Sequence, residues 1–286
     1  MSKKLICLVS FVLALVIVLT SAAQAGLVGW WRFEEGSGNI ANDSSGNGHH
    51  GTILGTPEWV SGPEGFGGAL AFNPDRCTGV DCGIFDPTNG TGQFTVSFWA
   101  FWDGTGTFQH FLTKSNGWGQ NTMMFQIELW GAHANPENTD RVGISYEHNP
   151  NQCCPPFSVM PKNEWVHLAF TFDGINATAF LNGVDKDGPK PFSIGPNVNA
   201  MVELGYTSTR SGPANRTLHG KLDEVRIYDR PLSEQEVRTV MVGGEIQGGP
   251  AALPKPGNRA IEVRQDAVLS WMAGDYAVTH DVYFGT

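Results

Sequence analysis

The chain has 286 residues with 18 Lys and Arg against 28 Asp and Glu, a formal net charge of −10. That balance argues against nucleic acid or an anionic membrane surface as a partner and is compatible with divalent cations. Glycine is abundant at 36 residues, aromatics are 11% and charged residues only 16%, a mix that suits many short strands joined by tight turns rather than helices.

Residues 1–25 stand apart from the fold. Lys3 and Lys4 precede an apolar run over residues 5–19, and Ala23-Gln24-Ala25 follows. A charged n-region, an h-region and an A-x-A site describe a signal peptide, a helical leader cleaved on export. The apolar run, roughly 15 residues, is short of the about 20 that a membrane helix needs. No second long apolar run follows. The mature chain, from Gly26, is therefore expected to be secreted or extracellular and without a membrane span.

Residues 29–33 (GWWRF) read as a strand, with Trp31 and Phe33 alternating with Trp30 and Arg32. Residues 42–51 (NDSSGNGHHG) form a loop. Residues 67–72 are the next strand, and the run NPDRCTGVDCGI after it holds Cys77 and Cys82. Residues 94–102 (FTVSFWAFW) give the strongest strand signal. Both faces are largely apolar, so the strand is expected to be central and covered on both sides. Residues 108–114 and 123–130 are further strands, with Trp118 in the turn between them. Residues 142–146 form a short strand, and 149–156 (NPNQCCPP) a loop that proline keeps out of a ladder. Residues 165–184 form a hairpin turning at Asp173-Gly174, with His167 expected to be structural.

Residues 220–228 (GKLDEVRIY) form the closing strand. Simple alternation puts Asp223, Val225 and Ile227 on one face, and Leu222, Glu224, Arg226 and Tyr228 on the other. If the first face is buried, Asp223 needs a partner, a hydrogen-bond network or a metal. Asp229-Arg230-Pro231 ends the strand. Ser233 and Glu236 stand in capping-box spacing ahead of a short helix, with Leu232 and Val237 as a staple. Residues 244–259 read as a Gly/Pro linker. Residues 260–286 alternate again, but about 30 residues against roughly 100 for a sandwich domain cannot bury a core.

Taken in order, these segments resemble LamG-like jelly-roll domains of the concanavalin A-like lectin/glucanase superfamily. Trp31, Phe33, Glu34, Glu35, Gly36, Ser37 and Gly38 fit W-x-[FL]-[DE]-E-G-S-G. Asp43, Ser45, Gly46, Asn47 and Gly51 fit D-x-S-G-N-x-x-x-G. Residues 94–99 resemble F-T-[VI]-[SA]-x-W, and 165–174 resemble W-x-H-[LV]-A-[FV]-[TV]-[FY]-D-G. The closing strand fits G-x-[IL]-D-E-[VF]-R-[IV]-[YW], followed by Leu232-Ser233. The resemblance implies an all-β fold over 26–243, a two-sheet antiparallel jelly-roll sandwich. The cysteine-bearing loop departs from the pattern. Residues 260–286 resemble the start of a fibronectin type III-like domain, which implies a larger multidomain protein.

The fold hosts lectins, adhesins, enzymes and spacers, so function must be argued from sites. Calcium takes six to eight oxygen ligands. The 43–49 loop offers Asp43 and Asn47, and Asp223 joins them if the first and last strands are neighbours, as the resemblance implies. The alternative is that Asp43 starts an Asx-turn and Asp223 accepts backbone hydrogen bonds. Sugars need aromatic faces and planar polar groups. The candidates are Trp118, Trp130, Tyr146 and Tyr206, taken as exposed, with Asn121, Glu128 and Arg210 near in sequence; core packing is the competing role. After cleavage Cys77, Cys82, Cys153 and Cys154 remain, an even count that favours disulfides in an exported chain. Adjacent cysteines rarely pair, which leaves cross-pairs or a local Cys77–Cys82 bridge, with zinc as a poorer fit. The glucanase pattern E-x-D-x-x-E is absent, as are H-E-x-x-H, G-x-S-x-G and a P-loop. The expected function is a non-catalytic module that binds a glycan or an extracellular surface protein, with a structural calcium ion. The alternatives are an architectural spacer and a divergent glycoside hydrolase, which needs two facing carboxylates.

Overall fold

The computed structural model describes residues 26–117, 121–130, 139–146, 156–209, 216–246, 252–255 and 270–272. The expected leader, Trp118, Arg210, Cys153, Cys154 and most of 260–286 lie outside these residues. The strands in chain order are β1 (Leu27–Trp31), β2 (Ile40–Ala41), β3 (Gly51–Leu54), β4 (Glu58–Ser61), β5 (Gly68–Phe72), β6 (Gly79–Asp81), β7 (Phe94–Trp102), β8 (Phe108–Ser115), β9 (Met123–Trp130) and β10 (Arg141–Ser145). Then come β11 (Pro156–Val159), β12 (Trp165–Phe172), β13 (Asn176–Leu181), β14 (Val184–Asp185), β15 (Lys190–Pro191), β16 (Val202–Leu204) and β17 (Gly220–Tyr228). Helix α1 (Glu234–Met241) follows, with β18 (Ala252–Lys255) and β19 (Ser270–Met272) after it.

Two antiparallel sheets form a sandwich. The first has nine strands in the order β14-β13-β12-β7-β17-β5-β4, with β1 added to β17 and β15 to β13. The second has eight, in the order β11-β10-β9-β8-β16-β6-β3-β2. Strand β7 is central, as its two apolar faces require. Its inner residues Phe94 and Phe98 meet the second sheet through Phe125 and Phe111, with ring centroids 4.3 and 5.2 Å apart. Each such ring, fully buried, stabilises the fold by about 1.5–3 kcal/mol relative to exposure. Pro156 does enter a ladder, but on β11, at the edge of its sheet, where a missing N–H is tolerated. Strand β18 pairs with β19, so part of the expected linker is extended and hydrogen-bonded. Among the described residues no helix is long and apolar enough to cross a membrane. Cys77 and Cys82 are both free thiols, so the local bridge does not form. The first is exposed and the second is buried in the core.

Strand β17 departs from simple alternation. Its register against β7 slips between Asp223 and Arg226, and Glu224 adopts φ 51. This is a β-bulge, which adds one residue and flips every side chain beyond it. Leu222, Val225 and Ile227 therefore enter the core. Asp223 pairs across to Trp99 and Arg226 to Ser97, on the outer face.

Helix α1 covers part of that outer face, packing Val237 and Val240 with Leu232 against Ala169, Phe180 and Tyr228. Its capping box forms as the spacing predicts, with Ser233 accepting from the Glu236 N–H and Glu236 accepting from the Ser233 N–H. Glu236 also takes two hydrogen bonds from Arg230, at 2.7 and 3.1 Å. Replacing Ser233 with Ala is expected to lower stability by about 1 kcal/mol, read as an earlier urea midpoint at unchanged slope.

Candidate functional site

The second sheet sorts its residues into two neighbouring rows. Ile144, Ile127, Leu112, Leu204, Val80 and Ile53 are successive cross-strand partners and face the core. One position along, Ser145, Gln126, Thr113, Glu203, Asp81 and Thr52 are successive partners and face outward. Cross-strand partners point to the same side of a sheet. The outward face is thus a continuous polar row across six strands. His110 and Glu128 are partners one step further along the same face.

These side chains form a hydrogen-bonded network. The Gln126 amide donates to Glu128 Oε2 at 3.1 Å, and Ser145 Oγ donates to Glu128 Oε1 at 2.9 Å. His110 Nε2 lies 3.1 Å from Gln126 Oε1, and Arg216 approaches the Glu128 carboxylate at 3.8 Å. Burial pushes the Glu128 carboxyl above its usual range, opposed by Trp130, Ser145, Arg216 and Gln126. Glu203 Oε2 accepts from Thr113 Oγ1 and from the Ser208 N–H, each at 3.0 Å. Burial also raises Glu203, and the neighbouring Asp81 charge adds to the effect. The Tyr206 hydroxyl donates to Asp81.

A hollow of about 350 Å³ opens at this face beside Glu203. Ser115, Asn116, Asn199, Ser208 and Thr209 line it with hydroxyls and amides. Ile84 and Met201, 56% and 42% exposed, form its apolar rim. A larger hollow of about 540 Å³ lies near β1, between His49, Phe85, Asp86 and Asp229. Its polar groups are committed within the protein. Asp86 holds the Thr88 N–H, Asn89 donates to Asp229, and His49 stacks on Phe85 at 3.8 Å. Groups around the Glu203 hollow are bonded too, with Ser115 Oγ donating to Gly117 O and Asn116 to Asn199 O, but its lining adds three hydroxyls and continues the polar row, so it is taken as the candidate.

The sequence-derived candidates fall unevenly. Trp130 and Tyr206 are not exposed platforms, at 6% exposure each. Trp130 pairs across to Phe108 and Arg141, and the Tyr206 ring fills the space a Gly79 side chain would need. Tyr146 is half-buried and packs on the core. Asp43 and Asn47 make a structural loop. The Asp43 carboxylate accepts the N–H groups of Trp30, Ser45 and His49 at 2.9–3.0 Å, and the Asn47 amide donates to Leu27 O and Val28 O. Burial works against the charged form of Asp43, but the donors from Ser45, His49 and Trp30 outweigh it and hold the carboxyl below its usual range. Asp223 does not join this loop. Strand β1 bonds β17 along one edge and meets residues 43–44 along the other, so it separates the two acids. The three-residue calcium set is not assembled.

Sequence reasoning passed over Glu203, Asp81, Gln126, Ser145 and Thr113. The available signal was a polar residue at each outward position of an otherwise apolar strand, as in FQIEL over 125–129 and VEL over 202–204.

The profile of a family described as the concanavalin A-like lectin/glucanases superfamily matches residues 80–238. The chain belongs to this superfamily. Solved structures agree on the sandwich. Domain 4 of AbnA, a GH43 extracellular arabinanase from Geobacillus stearothermophilus, in complex with arabinotriose, is similar with a TM-score of 0.53 and 23% identity, over 75% of this chain and 98% of that one. Trypanosoma rangeli sialidase in complex with sialic acid gives 0.56 and 15%, over 76% of this chain and 33% of that one. The binding domain of Paraclostridial Mosquitocidal Protein 1 gives 0.53 and 17%, over 76% and 52%. At these identities the likeness is one of fold. This concanavalin A-like domain spans about a third of the sialidase chain. No curated protein matches it.

Proposed function

We propose that this concanavalin A-like domain is a non-catalytic glycan-recognition module that takes a sugar chain at the Glu203 hollow. The observation that carries the reading is the lining itself: one carboxylate, two amides and three hydroxyls around a hollow of about 350 Å³. Sugar hydroxyls both donate and accept, and such a set offers both. The neighbour solved with arabinotriose supports the reading by analogy of fold.

Catalysis has one observation in its favour. Asp81 and Glu203 are direct cross-strand partners, which places their backbones about 5 Å apart, near the separation of a retaining glycosidase pair. Against it, Asp81 already accepts the Tyr206 hydroxyl, and Glu203 Oε2 already accepts two donors. Glu128 and Glu203 lie two strands apart and offset along them, and the Glu128 carboxylate already accepts from Gln126 and Ser145.

The test is calorimetric titration with neutral oligosaccharides, alongside a reducing-sugar assay. Glu203→Gln and Asn199→Ala are each expected to weaken binding by about tenfold to a hundredfold, the worth of a hydrogen bond to a charged or well-placed polar group. Released reducing ends that vanish in Glu203→Gln would establish the hydrolase instead. No binding to any glycan would favour the protein-binding spacer, in keeping with an exposed large hydrophobic set that holds no aromatic among the described residues.

A further inference from the structure

Gly26, the first residue expected after removal of the leader, lines the larger hollow together with Asp229. Its carbonyl accepts the Asp229 N–H at 2.8 Å. A side-chain carbon built on Gly26 would stand 2.5 Å from Asp229 Oδ1, and a φ of +75 strains any residue but glycine. The Gly26 nitrogen is bonded to the same Cα, so it lies within about 5 Å of that oxygen.

Asp229 holds its place without a cation. The Asn89 amide donates to Oδ2 at 3.2 Å, and Thr91 Oγ1 donates to the Asp229 carbonyl at 2.6 Å. Arg230 reaches Gly26 only with its methylenes, Cγ at 3.4 Å and Cδ at 3.5 Å from the built carbon, while its guanidinium turns to Glu236. Asp86, on the same hollow, adds a second negative charge, with its oxygens on the N–H groups of Thr88 and Gly90. Lys114 feels the Asp86 charge but donates to Ala200 O. Burial favours the neutral form of His49, the other titratable group of the lining. Among the described residues neither aspartate has an ion-pair partner.

We propose that cleavage between Ala25 and Gly26 supplies the missing charge: the new α-ammonium becomes the counter-ion of Asp229 and fastens β1 to the turn after β17. The proposal rests on the expected leader. Water added across that peptide bond by a leader-cleaving peptidase leaves a carboxylate on Ala25 and an ammonium on Gly26. In the uncut chain Gly26 carries a neutral amide, a weaker partner for a carboxylate than an ammonium. Two independent features meet at this residue: the Ala23-Gln24-Ala25 site in the sequence, and a contact with Asp229 that only glycine allows. The gain falls on β1, which bonds β17 along one edge and residues 43–44 along the other. Removal of the leader thus tightens the joint between the two ends of the sandwich. An amine paired with a carboxylate titrates above the ordinary 7.7–8.0 of a chain terminus, here by about one unit. The folded value is the raised one, so the stabilisation is complete below about pH 8 and is lost as the pH rises through the folded value.

The test uses the full chain exported by a secreting host. N-terminal sequencing should read GLVGW. The amine pKa, taken from the pH dependence of its acylation rate, should lie about one unit above the ordinary value and return to it in Asp229→Asn. At pH 7 the urea midpoint should fall in Asp229→Asn and in a chain that keeps Gln24-Ala25 ahead of Gly26, and combining the two changes should add no further loss. By pH 10.5 these differences should close. A plain hydrogen bond to Asp229 would instead give additive losses that persist at high pH. A first residue other than Gly26 overturns the proposal at the cleavage step. Gly26 in first place with an ordinary amine pKa, or with additive losses, overturns it at the ion pair.

Discussion

Replacing Arg226 with Ala is expected to lower stability by about 3–5 kcal/mol, the loss that follows when one member of a buried ion pair is removed. Arg226 is 1% exposed and lies on the outer face of the first sheet. Its Nη2 donates to Glu224 Oε2 at 2.7 Å and its Nη1 to Gly244 O at 2.9 Å, with the guanidinium 4.3 Å from the Trp30 ring centroid. Without it, Glu224, itself 4% exposed, keeps among the described residues the Trp30 indole at 2.9 Å and Arg32 at 3.4 Å. The chain after α1 also loses its anchor at Gly244. Replacing both partners with neutral side chains of similar volume, Glu224→Gln with Arg226→Met, should lose much less, because no lone charge is left buried. Urea unfolding of the two single variants and the double variant closes the cycle. A loss under 1 kcal/mol in Arg226→Ala would show that the pair is relieved by solvent.

This contrast separates the two outer faces of the sandwich. On the first sheet Arg226 and Glu224 are paired with each other beneath the chain that follows α1 and serve the fold. On the second, Glu203 stands at the edge of an open hollow lined by hydroxyls and amides.

The strands were legible because alternation and turn residues are local. Residues 123–130 and 94–102 read as strands at the bounds the structure gives them. The Ser233–Glu236 cap was legible for the same reason. The bulge was not, since nothing in LDEV marks Glu224 for left-handed backbone, and one extra residue inverted the expected faces. Asp223 was singled out as an acid that needs a partner if buried; it is buried with Oδ2 unbonded among the described residues, and the groups that surround it could not be named without the fold. Gly62, Gly67 and Gly68 lie more than 150 residues away along the chain, and a carbonyl has no side-chain signature. The row of Ser145, Gln126, Thr113, Glu203 and Asp81 was hidden for a related reason. Each strand shows a polar residue at its outward position, but the register that aligns them into a row is a property of pairs of strands. Large aromatics misled in the other direction, because a tryptophan or tyrosine beside a loop packs down onto the sheet as readily as it faces solvent.

Acid should weaken the fold through His167, and His167→Gln should remove that sensitivity. The imidazole lies on β12, 1% exposed, on the outer face of the first sheet. From β7, Ser97 Oγ meets its Nε2 at 2.9 Å and Trp99 packs edge-on at 5.5 Å. From the end of β13, the Asn182 side chain accepts its backbone N–H at 2.9 Å. The charged group facing it is Arg226 on β17. Nδ1 has no partner among the described residues, so nothing there welcomes a second proton. Burial, reinforced by the Arg226 charge, holds the imidazole down at about 3. The folded protein therefore keeps His167 neutral where the unfolded chain, with an ordinary imidazole near 6.5, takes up a proton. The stability it contributes is complete above pH 6.5. It falls by roughly 1.4 kcal/mol for each pH unit below that, towards pH 3. Other groups respond to acid as well, and the difference between wild type and His167→Gln cancels them. Urea midpoints for both proteins at pH 7, 5.5 and 4.5 should converge as the pH falls, since only wild type loses the imidazole contribution. Midpoints that stay parallel would mean that His167 ionises alike in the folded and unfolded chains, and that this face of the sandwich admits water to the ring.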